Sequence, residues 1–426
     1  MPRHVVFVGN GVAAVTAART LRRLDADCAL TLVSPESPYF FSRTALMYAL
    51  MGQLERRDME PYPRDSWAKL GISRRLATVT GVDPARRTVT LDGQEPLAYD
   101  TLVIASGSRP RALALDGQSA VSRGVVNFVS MADLTACEAL VPSTREAAVV
   151  GGGLIGVELV ESLLHHGVRV TWLLKDPWFF PAALGREEGE RVTAMLRGHG
   201  VTLVTDDTAA SLEADAAGRV SALITRAGRR VACQMVGVCV GVEPAVGWLR
   251  DTPCGGILGR GVRVDATLKT ALDDVWAVGD CAELTHAEGL KVEPNWYTAR
   301  AQGEHLAHNL AGRPTPWEPG VYYNAAKFFE TEFTTVGSLP RGAETVLRMH
   351  PRKVLSQRIA AVDGRVVGFN LLGSRWQHST LIGWINTRRP LDWVLAHLAE
   401  AQFDGDLARE DLASLVETRP TMEPLG

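Results

Sequence analysis

The stretch that decides the fold stands near the start of the chain and reads Val5-Val6-Phe7-Val8-Gly9-Asn10-Gly11-Val12-Ala13-Ala14. The β-branched and aromatic residues at 5–8 predict a strand, a helix is expected to follow as far as about Leu24, and a second strand is expected at 29–33. Glycines between a strand and a helix allow a tight turn and let a ligand approach the backbone closely. Such a unit is typical of a doubly wound, dinucleotide-binding domain.

The same arrangement returns in the middle of the chain. A strand is expected at 147–150, a helix at 157–166 and a further strand at 169–174. The turn between the first strand and the helix is Gly151-Gly152-Gly153-Leu154-Ile155-Gly156. The start of a helix carries unpaired N–H groups and a partial positive charge, which suit a pyrophosphate. Two dinucleotide sites are therefore predicted, the alternative being two glycine turns without ligands.

The residues after the second strand of each unit differ in charge. In the first unit Glu36 is placed to accept the ribose hydroxyls, although Ser34 holds the more usual acidic position. In the second unit Lys175 stands at the strand tip, where a cation can neutralise a ribose 2′-phosphate. The alternative for Lys175 is a solvated strand end.

Composition excludes several classes of protein. The chain has 426 residues, is 46% hydrophobic and 22% charged, and carries a net charge of −3, so no basic excess indicates nucleic-acid binding. No apolar run reaches the roughly 18 residues of a membrane span, and no secretory signal is recognisable. The six cysteines form neither CxxC nor CxxxxC, so no metal site, no redox-active disulfide and a reduced, cytoplasmic location are predicted.

Two further segments, together with the two glycine turns, form a combination of motifs in a characteristic order along the chain. One runs Tyr99-Asp100-Thr101-Leu102-Val103-Ile104-Ala105-Ser106-Gly107-Ser108-Arg109-Pro110, and the other runs Val275-Trp276-Ala277-Val278-Gly279-Asp280-Cys281-Ala282. From residue 1 to about 310, the chain resembles the two-dinucleotide-fold flavoproteins called pyridine nucleotide–disulfide oxidoreductases. The resemblance implies an α/β fold with two Rossmann-like, doubly wound, three-layer domains and a smaller α+β C-terminal domain. It also implies FAD at the first turn and NADPH or NADH at the second.

The resemblance assigns domains and site residues. The FAD domain would comprise 1–112 and 247–319, the NAD(P)H domain 113–246, and the C-terminal interface or dimerisation domain 320–426. Glu158 would lie beside the nicotinamide as the catalytic residue, the alternative being a carboxylate on a helix face. The cofactor-binding residues would be Gly9, Asn10, Gly11, Val12, Ala13, Ala14, Glu36, Arg43, Val79, Ala105, Ser106, Gly107, Arg109, Gly153, Leu154, Ile155, Gly156, Glu158, Lys175, Gly241, Gly279, Asp280, Trp296 and Tyr297.

Some of these assignments carry a specific role. Asp280 would bond the ribityl and pyrophosphate region, and the 105–107 turn would close over FAD. The helix that begins at Trp296 would aim its N-terminus at the flavin, where its dipole stabilises an anionic reduced ring. Trp296 would pack near that ring or belong to the core.

The chain departs from disulfide reductases of this family at residues 38–46. That segment reads Pro38-Tyr39-Phe40-Phe41-Ser42-Arg43-Thr44-Ala45-Leu46 and contains no cysteine. It resembles a stretch of rubredoxin reductases and of the flavin portion of NADH-dependent nitrite reductases, in which Arg43 would contact the flavin or its phosphates. A surface arginine is the alternative.

The resemblance therefore implies an FAD-dependent NAD(P)H oxidoreductase that passes electrons to a separate acceptor, a small redox protein of the ferredoxin or rubredoxin type. The alternatives are an NAD(P)H oxidase or peroxidase, and an FAD/NAD(P)-binding subunit with an assembly or signalling role. A homodimer or a monomer is expected, with no nucleic-acid or membrane partner. The C-terminal domain is expected to serve dimerisation or acceptor docking, and the tail after Thr418 to be loosely held.

Overall fold

The computed structural model describes residues 2–286, 289–403 and 414–418. The tail that the sequence predicts to be loosely held lies outside these residues. The strands are β1 His4–Val8, β2 Ala29–Ser34, β3 Ile72–Leu76, β4 Val79–Asp83, β5 Thr88–Leu91, β6 Gln94–Ala98, β7 Thr101–Ile104, β8 Ser108–Pro110, β9 Val125–Val126, β10 Glu146–Val150, β11 Arg169–Leu173, β12 Thr202–Val204, β13 Ala209–Ala214, β14 Val220–Thr225, β15 Arg230–Ala232, β16 Met235–Val238, β17 Val242–Pro244, β18 Val262–Val264, β19 Val275–Ala277, β20 Ala282–His286, β21 Gly289–Lys291, β22 Tyr323–Phe328, β23 Thr331–Gly337, β24 Glu344–Met349, β25 Ser356–Val362, β26 Arg365–Leu372 and β27 Val416–Thr418.

The helices vary from one turn to four. The α-helices are α1 Val12–Leu24, α2 Leu46–Leu50, α3 Asp65–Lys69, α4 Met131–Leu140, α5 Leu154–His165, α6 Arg186–Gly198, α7 Trp296–Leu310, α8 His378–Asn386 and α9 Leu391–His397. Short 3₁₀ turns connect several of them.

The chain forms two compact units, each built from more than one segment. The first unit comprises Met1–Ala112, Val129–Ala136 and Gly241–Pro319. The second comprises Leu113–Phe128, Cys137–Val240 and Gly320–Gly426. The sequence-based domain boundaries at 112, 246 and 319 stay a prediction.

The first unit is built on a parallel sheet with the strand order β19-β7-β1-β2-β3. The central strand β1 pairs in parallel with β2 and β7, and Val5, Val6 and Phe7 are fully buried. Helices α1 and α7 pack closely, because Gly303 lies against the backbone of Ala13, where a Cβ would overlap its carbonyl oxygen. Read from the other edge, the five strands follow the order 3-2-1-4-5 along the chain, which is a doubly wound arrangement and confirms the predicted fold class.

The second unit contains a sheet of the same kind and an antiparallel sheet. The parallel sheet has the order β12-β11-β10-β16-β9, with β10 in parallel register with β11 and β16. The antiparallel sheet has the order β22-β23-β26-β25-β24-β27. The dipeptide Asp363-Gly364 is a typical hairpin signal in the sequence, and the hairpin between β25 and β26 turns at these two residues, both at positive φ.

The sequence leaves open whether Trp376 and Trp384 in the C-terminal domain form a docking or dimer surface or a core. Trp376 and Trp384 are buried with Val336, Phe369 and Leu381 against helices α8 and α9. These two tryptophans therefore belong to a core rather than to a docking surface.

Several elements differ from the sequence prediction. Helix α5 begins at Leu154, three residues before the predicted start, because Gly153 takes the N-cap position. Residues 233–240 are apolar or small except Gln234 and favour a strand, of which the structure forms only β16, Met235–Val238. Helix α6 and strand β24 are not among the elements expected from the sequence, although Val192 and Leu196 give α6 one buried apolar face.

Among residues 2–286, 289–403 and 414–418, none of the helices combines the length and the apolar content that a membrane span needs. Within the same ranges, no group of His, Cys, Asp or Glu side chains is arranged to hold a metal ion.

Candidate functional site

The first glycine turn lies at the carboxyl end of β1, where the strand order of the sheet reverses. Gly9 has a φ of +115°, and a Cβ at this position would overlap the carbonyl oxygen of Ala105. The Gly9 N–H donates to the carbonyl oxygen of Val33 at 2.7 Å. The ends of β1, β2 and β7 therefore meet at a point that admits only glycine.

The turn leaves the start of helix α1 open. Gly11 is the N-cap residue and offers no side chain to cap the helix. A Cβ on Gly11 would meet no atom within 4 Å, and the first turn of α1, with Val12, Ala13 and Ala14, carries no acidic residue. The first N–H groups of a helix have no partner within the helix, and open space lies beside Gly11, so the residues present fit a pyrophosphate.

Asp280 follows strand β19, which pairs with β7 in the same sheet. Its Oδ2 accepts a hydrogen bond from Ser108 Oγ at 2.8 Å, and burial raises the pKa of the Asp280 carboxyl. Gly279 has a φ of +77°, and its N–H donates to Gln302 Oε1 at 2.9 Å. Helix α7, which carries Gln302, therefore holds the turn that presents Asp280.

The Ala105-Ser106-Gly107 turn follows β7 in the same unit, with Gly107 at a φ of +69°. The Gly107 carbonyl accepts a hydrogen bond from the N–H of Ala245 at 2.9 Å. Strand β8 then pairs with β17, so residues 108–110 and 242–244 of the first unit lie side by side although they are far apart in sequence. Arg109 on β8 forms an ion pair with Glu243 at 2.8 Å.

A cleft of about 510 Å³ opens beside these residues in the first unit. It is lined by Ser108, Arg109, Arg111, Val242, Glu243, Pro244, Val246, Gly247, Arg250, Leu258, Gly259, Arg260, Asp280, Val292 and Pro294. Four arginines against two carboxylates give this lining a positive balance. Sequence reasoning missed Arg111, Arg250 and Arg260, because they come from separate turns without a shared motif.

Helix α7 begins at Trp296 as the sequence predicts. Asn295 caps it, because its Oδ1 accepts hydrogen bonds from the N–H groups of Tyr297 and Thr298 at 2.8 and 3.0 Å. The Trp296 and Tyr297 rings pack edge to face with centroids 5.3 Å apart, and both residues are half-buried. The placement of this helix end at a flavin stays a prediction.

Glu36 and Arg43, both predicted to contact cofactor, contact each other. Arg43 Nη2 lies 2.6 Å from Glu36 Oε2, and Glu36 Oε1 accepts a hydrogen bond from the N–H of Met131 at 2.6 Å. Arg43 also donates to the carbonyl oxygen of Val129 at 2.8 Å. Nearby, Asn10 is buried and donates to the carbonyl of Ser37 at 2.6 Å. The structure thus joins the first turn to the segment after β2 and leaves the ribose role of Glu36 a prediction.

Two other predicted residues stand apart from these clusters. Val79 is a buried residue of β4 in the meander β4-β5-β6. Gly241, with a φ of +102°, accepts a backbone hydrogen bond from Arg111 at 3.0 Å and has open space where a Cβ would lie.

The second glycine turn repeats the geometry of the first. Gly151 has a φ of +112°, and a Cβ there would overlap the carbonyl oxygen of Cys239. Gly153 caps α5 in an extended conformation and faces open space, as Gly11 does in the first unit. Gly156 lies against the Gly151 carbonyl, which accepts a hydrogen bond from Trp172 Nε1 at 2.9 Å. This turn also fits a pyrophosphate, and Leu154, Ile155 and Gly156 supply its first helical turn.

Glu158 lies half-buried on α5, one turn beyond the glycines. Burial, and secondly the carboxylate of Glu161, raise the pKa of Glu158 to about 8. Perturbed carboxyls of this kind are common in functional sites, and they also occur in structural ones. The catalytic assignment of Glu158 stays a prediction.

Lys175 is exposed at the tip of the sheet. Strand β11 ends at Leu173, whose carbonyl oxygen accepts a hydrogen bond from the Gly151 N–H at 3.1 Å. Leu174, which is buried, packs against Gly152. The strand tip that presents Lys175 therefore lies against the glycine turn.

Comparison with known proteins identifies the fold and its chemistry. The family described as pyridine nucleotide-disulphide oxidoreductase matches residues 3–303. The chain belongs to this family. This chain is therefore an oxidoreductase that uses FAD and a nicotinamide nucleotide. We call the glycine turns at 9–14 and 151–156, each with the helix start that follows it, the first and second cradle.

Relatives of the chain include proteins named as ferredoxin reductase components of dioxygenases. The chain is 30% identical over 377 residues to the ferredoxin reductase component of chlorobenzene dioxygenase from Cupriavidus sp. (strain PS12), covering 85% of this chain and 90% of that protein. It is 30% identical over 315 residues to the ferredoxin–NAD(+) reductase component of the biphenyl dioxygenase system from Paraburkholderia xenovorans (strain LB400), covering 73% and 76%.

A solved structure confirms the fold. The crystal structure of the covalent putidaredoxin reductase–putidaredoxin complex matches with a TM-score of 0.81 at 21% identity, covering 91% of this chain and 94% of that chain. The fold class and family predicted from the sequence are thus confirmed.

Substitution of Gly11 by valine tests the first cradle. The new side chain fits the protein but fills the space before α1, so the expected result is a folded protein with less than about a tenth of the FAD of wild type. FAD per chain is measured by absorbance after purification, and the melting temperature of flavin-stripped protein reports folding. The control is Gly256→Val, which also projects into open space. Normal FAD content in Gly11→Val would refute this site.

The raised pKa of Glu158 predicts a pH-dependent stability. In the unfolded chain this carboxyl titrates near 4.5, and in the folded protein near 8. Folding therefore favours the protonated form, and stability falls as pH rises from 4.5 towards 8. The Glu158→Gln variant avoids this loss, so its melting temperature should match that of wild type near pH 4 and exceed it near pH 9.

Thermal unfolding across this range checks the prediction. Glu190→Gln is the control, since the Glu190 side chain is 60% exposed on α6. A constant difference between wild type and Glu158→Gln at every pH would contradict the assignment of the raised pKa.

Proposed function

We propose that this chain takes hydride from NADPH or NADH onto FAD and passes electrons to a ferredoxin-type carrier. The observation that carries the proposal is 30% identity, over nearly the full length of both chains, to a ferredoxin reductase component. FAD supplies the conversion between a two-electron hydride donor and one-electron acceptors. The protein supplies the two cradles that hold the cofactors and the groups that orient them.

The cysteines support an acceptor outside the chain. All six are buried thiols, and none lies in the 38–46 segment, where the resemblance places the cysteines of disulfide-reducing members. Burial raises the pKa of Cys233 to about 11 and also raises the pKa values of Cys28, Cys254 and Cys281. Because a protonated thiol is a poor nucleophile, these residues do not suit an internal thiol–disulfide step.

The charge of the cleft supports an acidic carrier. Arg111 and Arg250 are exposed at its lining, and Arg109 and Arg260 contribute further guanidinium groups. Complementary charge speeds the encounter between a reductase and a small carrier and makes it depend on ionic strength. We also propose that this protein is cytoplasmic, that it is a monomer or a homodimer, and that it has no membrane partner.

The function is tested with the FAD-loaded protein under anaerobic conditions. The protein is reduced with one equivalent of NADH or NADPH and then mixed with an oxidised [2Fe–2S] ferredoxin, a rubredoxin or oxygen. We expect a ferredoxin to reoxidise the flavin at least about a hundredfold faster than oxygen, with a rate that falls as salt rises. Iron-free ferredoxin is the control.

Other outcomes identify the alternatives. Rapid reaction with oxygen or peroxide and none with either carrier would indicate an oxidase or peroxidase. Slow reaction with every acceptor and a persistent complex of reduced flavin and nicotinamide would indicate an assembly or signalling subunit.

Lys175 tests the choice of nicotinamide. One charge-assisted contact to a 2′-phosphate is worth at least about 1.5 kcal/mol, which is roughly tenfold in affinity. Lys175→Glu should therefore reduce kcat/KM for NADPH about tenfold and leave or improve kcat/KM for NADH. Lys69→Glu, on an exposed helix, makes the same charge change as a control. A tenfold preference of wild type for NADH, or equal effects on both nucleotides, would make Lys175 a solvated strand end.

A further inference from the structure

A buried arginine in the C-terminal sheet holds the start of helix α6, within the second unit. Arg358 lies on β25, and its side chain is 4% exposed. Its Nε donates to Glu188 Oε2 at 2.8 Å, and its Nη2 donates to Glu187 Oε2 at 2.9 Å. Glu188 is fully buried and also accepts a hydrogen bond from the Gly185 N–H at 3.0 Å. Arg358 and Glu188 therefore form a buried pair at the N-terminus of α6, and Glu187, whose side chain is 47% exposed, joins it from the surface.

The segment before this helix is attached to the same sheet along its length. Phe179 packs on Phe328 with ring centroids 5.4 Å apart, and Phe180 packs on Phe333 at 5.9 Å. Asn370 on β26 donates a hydrogen bond to the carbonyl of Ala183. Segment 176–188 is therefore held by side chains of strands β22, β23, β25 and β26.

The backbone of the segment shows that these contacts determine its path. Phe180 has a φ of +56°, a conformation that bulky residues adopt only when surrounding contacts enforce it. Its neighbours in the C-terminal sheet supply such contacts.

The same segment continues directly from the strand tip beside the second glycine turn. In a doubly wound nucleotide domain, the residues after the second strand face the adenosine ribose. Here those residues are Lys175 and Asp176, and Leu174 packs against Gly152. The path of segment 176–188 therefore sets where Lys175 and its neighbour are presented.

We propose that Arg358 is a positioning residue for the nicotinamide nucleotide: by anchoring segment 176–188 to the C-terminal sheet, it fixes the adenosine end of the nucleotide site. The inference rests on the proposed function only in placing that nucleotide at the second glycine turn. It gives the C-terminal sheet a part in nucleotide affinity, beside the expected part in docking or dimerisation.

The test measures binding of ADP-ribose to the FAD-loaded protein by isothermal titration calorimetry. ADP-ribose has the adenosine and pyrophosphate groups but lacks the nicotinamide, so its affinity is independent of electron transfer. Arg358→Met should bind it about five- to tenfold more weakly, which is a typical effect of breaking a coupled contact network. The FAD content and the limiting rate of flavin reduction at saturating nucleotide should remain those of wild type.

Two further variants keep the test decisive. Asn370→Ala removes a milder anchor of the same segment and should weaken ADP-ribose binding about threefold, so it serves if Arg358→Met does not fold. Arg375→Met is the control, because its ion pair with Glu332 lies on the same sheet but its side chain is 61% exposed. The control should bind as wild type does.

The outcomes separate the inference from the function on which it rests. Wild-type affinity in both Arg358→Met and Asn370→Ala would overturn the positioning role. A parallel loss of FAD, limiting rate and ADP-ribose binding would also overturn it, because that pattern indicates a general structural role. Failure of the wild type itself to bind ADP-ribose would instead overturn the nucleotide site, and the inference with it.

Discussion

The structure depends on one backbone constraint that occurs twice. At Gly9 and Gly151 the chain leaves a central strand with a positive φ and passes so close to a neighbouring carbonyl that no Cβ fits. This turn places the start of a helix at the carboxyl end of a central strand, where the first N–H groups of the helix have no partner within the helix. Because the next glycine, Gly11 or Gly153, caps the helix without a side chain, those donors remain available to a pyrophosphate.

The side chains around the two cradles differ in charge and exposure. The first unit adds the half-buried carboxyl of Asp280 and an arginine-lined cleft, whereas the second adds the half-buried Glu158 and the exposed Lys175. None of these features requires a thiol. The chain therefore has the parts for moving hydride from a nicotinamide to a flavin, while the final electron acceptor is a separate molecule under the proposed function.

Sequence alone determined the fold class, the two cradles, the hairpin at Asp363 and the absence of a thiol at residues 38–46, since these depend on short runs of neighbouring residues. Glycine at a strand end and β-branched runs restrict the local backbone in a way that a sequence shows directly. The cofactor roles of residues such as Glu36, Arg43 and Glu158 remain predictions, because the family pattern, and not local chemistry, suggests them.

Tertiary structure alone decided the contacts between distant segments. Ser108 donates a hydrogen bond to Asp280. Glu36 forms an ion pair with Arg43 and also accepts a hydrogen bond from the Met131 N–H. Arg358 donates to Glu188, which lies 170 residues away in the sequence. It also decided that Trp376 and Trp384 form a core. No local pattern encodes these pairs, because each side chain is ordinary for its own element and acquires its partner only when sheets and helices pack.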